Sequence, residues 1–227
     1  MAKKLYEESN IRAIAEAIRA KNGKTETYTT AQMAGAIADI TAGGGDADAI
    51  MRGIVEDTIT NIVIPNGTTK IARYAFANKN IESVTMPDSV TEIGMYAFAN
   101  CEQLESIVLS NGLVKIDSNA FTGCDILAIS SFPSGVTICN TYALAYNATE
   151  TFTFHAGIQK VLAGFLSNAP NLKTVTFEGT PTTLATNIFS NCAALTDIYV
   201  PWAAGTDANE STKWGATNAT IHYNYKG

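Results

Sequence analysis

Residues 96–109, YAFANCEQLESIVL, change character halfway along. The first half sets a phenylalanine between alanines and closes on Asn-Cys. The second half alternates apolar with polar, the period of a half-buried strand. Residues 119–132, NAFTGCDILAISSF, repeat the phrase 23 positions later. Anchored on the central residue, the copies fall at Phe76, Phe98 and Phe121, with weaker ones at Leu144, Phe165 and Phe189, separated by 22, 23, 23, 21 and 24 residues. Self-similarity at such a period predicts a solenoid.

Each unit reads as strand, polar turn, second extended segment, and a short helical or irregular turn carrying the anchor. Leu104, Ile107 and Leu109 are expected to face inward, as are Leu172, Val175 and Phe177. One unit cannot bury both its strand face and its anchor, whereas stacked copies share a continuous core. At about 4.8 Å per strand, six or seven units form a slab on the order of 30 Å long. Cys101, Cys124 and Cys192 recur at one repeat position, and Cys139 stands where Ile93 and Ile116 stand. They read as small buried hydrophobes, with Cys101 and Cys124 as the one pair placed for a disulfide.

The chain has 227 residues, 46% apolar and 16% charged, enough for a sizeable core. A net charge of -6 offers no excess of Lys and Arg for phosphates, which argues against nucleic acid. No apolar run reaches the roughly 18 residues of a membrane span. The start, MAKKLYEESNIRAIAEAI, carries acidic residues where a signal peptide needs an apolar segment, so synthesis in the cytoplasm is expected.

The stretch IESVTMPDSVTEIGMYAFANCEQLESIVLSNGLVKIDSNAFTGC, 81–124, resembles the BspA-type leucine-rich repeat. That resemblance covers about 57–201, is weakest over 127–171, and implies either a bacterial surface adhesin or a structural protein of phages that infect Firmicutes and related gut bacteria.

Upstream, SNIRAIAEAIRAKNG reads as a helix with Ile11, Ile14 and Ile18 on one face, stopped by Asn22-Gly23. TTAQMAGAIADI reads as a second, with Thr29 and Gln32 as a capping box and Met33, Ile37 and Ile40 aligned. A hairpin this small needs a partner, which makes those six side chains the expected oligomerisation or docking surface. AIAEAIRAKNGKTETYTTAQMAGAIADI resembles a helical module near the start of phage tail-fibre and minor structural proteins. IYVPWAAGTDANESTKWGATNATIHYNY resembles their closing segment.

The expected organisation is an α+β repeat protein: a helical hairpin over 1–42, a Gly-rich linker and lead-in over 43–56, a leucine-rich-repeat-like solenoid of six to seven units of ~23 residues over 57–201, and a C-terminal cap over 202–227.

Chemistry finds little footing. His155 and His222 lie in different units, with no Cys or carboxylate at ligand spacing in sequence, and NGKT at 22–25 lacks the first glycine of a phosphate loop. The expectation is a non-enzymatic protein without metal or cofactor. The outward strand positions Val63, Thr85, Val108, Ser131, Thr153, Thr176 and Tyr199 form a ladder suited to protein or glycan binding over an extended area. Tyr199, Trp202 and Trp214 are the candidate ligand-binding anchors, with a core cap as the favoured alternative role for both tryptophans. Tyr74, Tyr96 and Tyr142 form a second row on the opposite edge. Taken with the resemblance, the leading expectation is a tail-fibre or receptor-binding component of a virion, a homo-oligomer with a trimer favoured. It would bind other virion proteins and a host-surface glycan or protein; the alternative is a bacterial cell-surface adhesin or scaffold.

Overall fold

The computed structural model describes residues 60–227. The expected hairpin, with Ile11, Ile14, Ile18, Met33, Ile37 and Ile40, and the glycine linker lie outside the described residues.

From Thr60 onward the chain winds as about seven coils. The front strands are β1 (Asn61–Val63), β3 (Ser83–Thr85), β5 (Ser106–Val108), β8 (Thr151–Phe154), β10 (Thr174–Phe177), β12 (Asp197–Tyr199) and β13 (Thr220–His222). A second, shorter set lies along the side: β2 (Lys70–Ile71), β4 (Glu92–Ile93), β6 (Lys115–Ile116), β7 (Ile138–Cys139), β9 (Lys160–Val161) and β11 (Thr183–Leu184). All pairings are parallel and each joins one coil to the next. Ile62, Val84, Phe152, Val175 and Ile198 point inward from the front strands onto Ile71, Ile93, Ile116, Cys139, Val161 and Leu184 from the side strands, in one core.

The helical part of the expected α+β class does not appear among the described residues. Their helical content is a single 3-10 segment, Glu210–Gly215, and the anchors sit in linked turns. The reason is in the backbone of YAFAN. Tyr96 and Asn100 are both left-handed (φ 57° and 56°), which breaks an α-helix at each end. Between them the amides alternate. Those of Ala97, Ala99 and Cys101 close turns onto Gly94, Tyr96 and Phe98, while those of Tyr96, Phe98 and Asn100 reach Ser118, Ala120 and Thr122 of the next coil. The left-handed residues cost roughly 1–2 kcal/mol each, and the inter-coil bonds they direct offset that.

The same pair of left-handed positions recurs at Tyr74/Asn78, Asn119/Gly123, Tyr142/Tyr146 and Gly164/Asn168. This corrects the sequence alignment of the fifth unit. Leu166, two residues after Gly164, occupies the anchor position, and its amide bonds Ile188 O as that of Phe98 bonds Ala120 O. Phe165 takes the place held by Ala97 and packs on Phe132, Phe152 and Phe154 instead.

Anchors Phe76, Phe98 and Phe121 stack face to face at 5.1 and 5.3 Å. Asparagines ladder beside them, Asn100 Nδ2 donating to Asn78 Oδ1 at 3.1 Å and Asn191 to Asn168 at 2.9 Å. The four cysteines are free and buried. Cys101, Cys124 and Cys192 do more than fill space: their thiols donate to the carbonyls of Phe76, Phe98 and Leu166, one coil back, at 3.0–3.1 Å.

Both sheets break at one level. The front sheet runs β1-β3-β5, then resumes as β8-β10-β12-β13, and the side sheets are β2-β4-β6 and β7-β9-β11. To the front sheet the fourth coil contributes only a bridge from Ser131 to Thr153. At the break the side chain of Asn140 donates to Ile116 O at 2.7 Å, where backbone amides serve between other coils, and on the far side of the fourth coil Thr149 turns its hydroxyl onto the backbone of Ile129. The turn ladder crosses intact, with Asn119 N on Thr141 O, Phe121 N on Ala143 O and Gly123 N on Ala145 O.

Candidate recognition surface

The front sheet sets its outward side chains in two rows. One runs Asn61, Ser83, Ser106 and, past the break, Thr151, Thr174, Asp197, Thr220; the other runs Val63, Thr85, Val108, then Ser131, Thr153, Thr176, Tyr199, His222. The second row is the ladder expected from the sequence, one coil longer. Short β-branched side chains keep it flat, and Val63 and Val108 are 68% and 57% exposed.

The break opens a shallow cleft of about 360 Å³ between Ile107, Leu109 and Asn111 on one side and Ile129, Ser131 and Phe132 on the other. Ile107 and Leu109, expected inward, are only partly buried because no strand of the fourth coil pairs with β5.

At the far end the surface turns aromatic. Tyr199 stacks on His222 at 4.4 Å and 14°, Tyr225 leans on Tyr199 at 4.8 Å, and His222 Nε2 meets Asp197 Oδ1 at 2.7 Å. That contact holds the Asp197 carboxyl below the usual aspartate range, helped by the Thr196 hydroxyl. The sequence reading named Tyr199 but missed His222, Tyr225 and Asp197. Extending the ladder by one more 23-residue step was the available signal, since it sets His222 after Tyr199 and Thr220 after Asp197.

Trp202 and Trp214 lie elsewhere. Trp214 is fully buried and Trp202 7% exposed; their rings meet edge to face at 6.3 Å and both contact Phe177. Of the three aromatic candidates, Tyr199 is the one with ring surface in solvent. The tryptophans close the core because the last coil lacks an anchor: Trp214 O accepts from Phe189 N, as Ala97 O does from Phe76 N, and the indole fills the end.

Glu210 holds this closure together. Buried, it accepts from Trp202 Nε1, Gly205 N, Asp207 N and Tyr223 Oη at 2.7–3.3 Å. Burial alone would raise its pKa; the backbone and side-chain donors outweigh that and bring it below the ordinary glutamate value.

His155 is a turn-former: Nε2–H donates to Val136 O and Nδ1 accepts from Gly157 N. Among the described residues no group of three or more His, Cys, Asp or Glu is placed to hold a metal, and no helix is long and apolar enough to cross a membrane.

A family profile described as the BspA type leucine rich repeat region matches residues 69–196 in six copies. The chain belongs to this family. The BspA-type assignment fixes the architecture as a repeat array, of a family and fold that are typically non-catalytic and are often found at cell surfaces. Solved structures with the same fold include a leucine-rich repeat protein from Bacteroides ovatus (23% identity, TM-score 0.56, 62% of this chain and 39% of that one). The T. pallidum leucine-rich repeat protein aligns at 25% identity and TM-score 0.52, over 61% of this chain and 68% of that one. The pneumococcal vaccine antigen PcpA aligns at 21% and 0.58, over 74% of this chain and 42% of its own. The chain thus spans about two fifths of the Bacteroides and pneumococcal proteins. No curated protein matches the sequence.

Proposed function

We propose that this BspA-type chain is a non-enzymatic recognition protein of the bacterial surface, an adhesin or protein-binding scaffold whose front sheet engages a macromolecule. The observation that carries the reading is the flat front ladder, whose backbone bonds run from coil to coil and whose side chains are short, ending on the Tyr199, His222 and Tyr225 group. Such a face offers area without a deep pocket, which suits a protein or a glycan chain better than a small substrate. The kinship with repeat proteins that include a pneumococcal vaccine antigen supports the setting. The experiment is saturable adhesion of the labelled full chain to intact bacterial and epithelial cells, compared with Thr153→Arg/Thr176→Arg. Arginines in adjacent coils break the flat face while pointing to solvent. Adhesion that survives them excludes the front sheet.

A second reading, a tail-fibre or receptor-binding component of a virion, draws on the phage-like segments at both ends of the sequence. It has Ile11, Ile14, Ile18, Met33, Ile37 and Ile40 joining copies of the chain, as a trimer, or docking to other virion proteins. Light scattering on the full chain and on a version starting at Gly43 separates the two: an oligomer that falls to monomer on truncation favours the virion setting.

A further inference from the structure

The edge of β5 that faces the fourth coil carries backbone groups with nothing to bond. Ser106 N donates to Glu82 O and Val108 O accepts from Met86 N, so those two residues face β3. Successive residues of a strand turn their N–H and C=O to opposite edges, which leaves the N–H and C=O of Ile107 and the N–H of Leu109 on the fourth-coil side. None of the three has a hydrogen-bond partner among the described residues. At the equivalent place in other coils Ile64 N reaches Thr85 O at 2.9 Å, Met86 N reaches Val108 O at 3.1 Å and Val200 N reaches His222 O at 2.9 Å. Leu109 lacks that bond because the fourth coil turns its carbonyls the other way: Ile129 O accepts from Thr149 Oγ1, and Ser130 O accepts from Thr153 N.

The free edge opens into the cleft at the break. That cleft, about 360 Å³, is lined by Ile107 and Leu109, by Ile129 and Phe132, each 5% exposed, and by the exposed Ala128 and Ser131. Liquid water takes about 30 Å³ per molecule, so the space suits about a dozen waters or about two to three residues of a peptide. Unmet main-chain groups and apolar side chains therefore share one opening.

The order of the free groups selects the guest. In a trans amide the N–H and C=O point in opposite directions, so a lone acetamide, as on an N-acetyl sugar, meets either Ile107 O or Leu109 N. An amino-acid residue in extended conformation turns its own N–H and C=O to one side and meets both, in the manner of the parallel register between β3 and β5. A residue bonded in this way lies opposite Val108 with its side chain toward solvent. Its two neighbours turn inward, beside Ile107, Leu109, Ile129 and Phe132.

We propose that the cleft at the break is a docking site for an extended peptide of a partner protein, apolar-polar-apolar in pattern, whose middle residue pairs in parallel with the free edge of β5 through Ile107 O and Leu109 N. Short peptides in solution test the site whether or not the chain adheres to cells, so its failure and that of the adhesion reading are told apart.

The test is NMR on the isotope-labelled full chain titrated with acetyl-Val-Thr-Val-amide. The Leu109 amide resonance should shift saturably, and its exchange with solvent should slow. The same peptide N-methylated at threonine cannot donate to Ile107 O and should bind roughly five- to tenfold more weakly. Acetyl-Asp-Thr-Asp-amide, which sets charges against the apolar side chains, should also bind less tightly than the parent. Ala128→Trp, which fills the cleft from an exposed position, should abolish the shift. No saturable shift at Leu109, equal binding of either altered peptide, binding that persists in Ala128→Trp, or an equal shift produced by N-acetylglucosamine overturns the proposal.

Discussion

The thiol of Cys124 donates to the carbonyl oxygen of Phe98, one coil back, at 3.1 Å. This contact makes the cysteine column part of the hydrogen bonding between coils. Cys124→Ala should cost about 1–2 kcal/mol, because it removes one of the two donors to a buried carbonyl, the Cys101 amide being the other, and leaves a small void. Cys124→Ser should cost less, since a hydroxyl restores the donor. Urea denaturation ranks the two; were apolar fill the whole role of Cys124, alanine would be the milder change.

Burial pushes the thiols up, to about 12 at Cys101 and about 11 at Cys192, with Cys124 and Cys139 raised further still. Only the thiolate attacks a disulfide reagent, so all four cysteines should stay silent toward one at pH 8 in the native chain. Four equivalents should react once denaturant is added. A rapid native phase would mean that a coil opens readily.

Gly164 is where the turn column leaves no room for a side chain. Its φ is +66°, and a β-carbon there would collide with the ring of Tyr142. Gly164→Ala should therefore destabilise by about 1–3 kcal/mol, partly from backbone strain and partly from the ring. Adding Tyr142→Ala should recover the second part. Thermal melts of the two variants give the division, and full additivity would deny the contact.

Acidification should loosen the C-terminal closure. The folded pKa of Glu210 lies below its ordinary value of 4.5, so its contribution is complete above that value and is lost as pH falls through the folded pKa. Glu210→Gln keeps the shape but gives up the charge and presents a donor to donors. It should cost about 1–3 kcal/mol near neutral pH and flatten the acid dependence of the melting temperature. An equally steep acid limb in the variant would place that loss elsewhere.

Removing the Trp214 indole should be the most damaging of these changes. Fully buried, it fills the end of the core and donates from Nε1 to Asp207 Oδ1 at 3.0 Å. Trp214→Ala is expected to cost about 3–5 kcal/mol, measured by chemical denaturation.

Much of this architecture was legible in the sequence, for a physical reason: parallel stacking repeats one environment at one period, so alternation in the strands and the outward ladder from Val63 to Tyr199 followed directly. What stayed hidden depends on backbone states that several residue types share. Tyrosine, asparagine and glycine all hold the left-handed column, so no single letter marks it, and Phe165 drew the fifth anchor one residue away from Leu166. The sequence left the anchor turn open between helical and irregular, and the structure takes the irregular form, because Tyr96 and Asn100 are unremarkable in a helical pattern until their φ is known. At the surface, Tyr199 was visible as the end of a ladder. Its neighbour His222 lay one 23-residue step further on, but its contact with Asp197, 25 positions away, follows no repeat spacing and is brought about only by the last coil.

The level between the third and fourth coils, where both sheets stop, has a consequence for cooperativity. A stacked array loses structure by parting at its weakest neighbour interface. Here that interface keeps its turn ladder and the Asn140 bond but no strand pairing, so coils one to three and the coils beyond are set to behave as two folding units. Amides of β3 would then exchange with solvent through an opening that β10 does not share, and the protection of the two halves would respond separately to mutations in either.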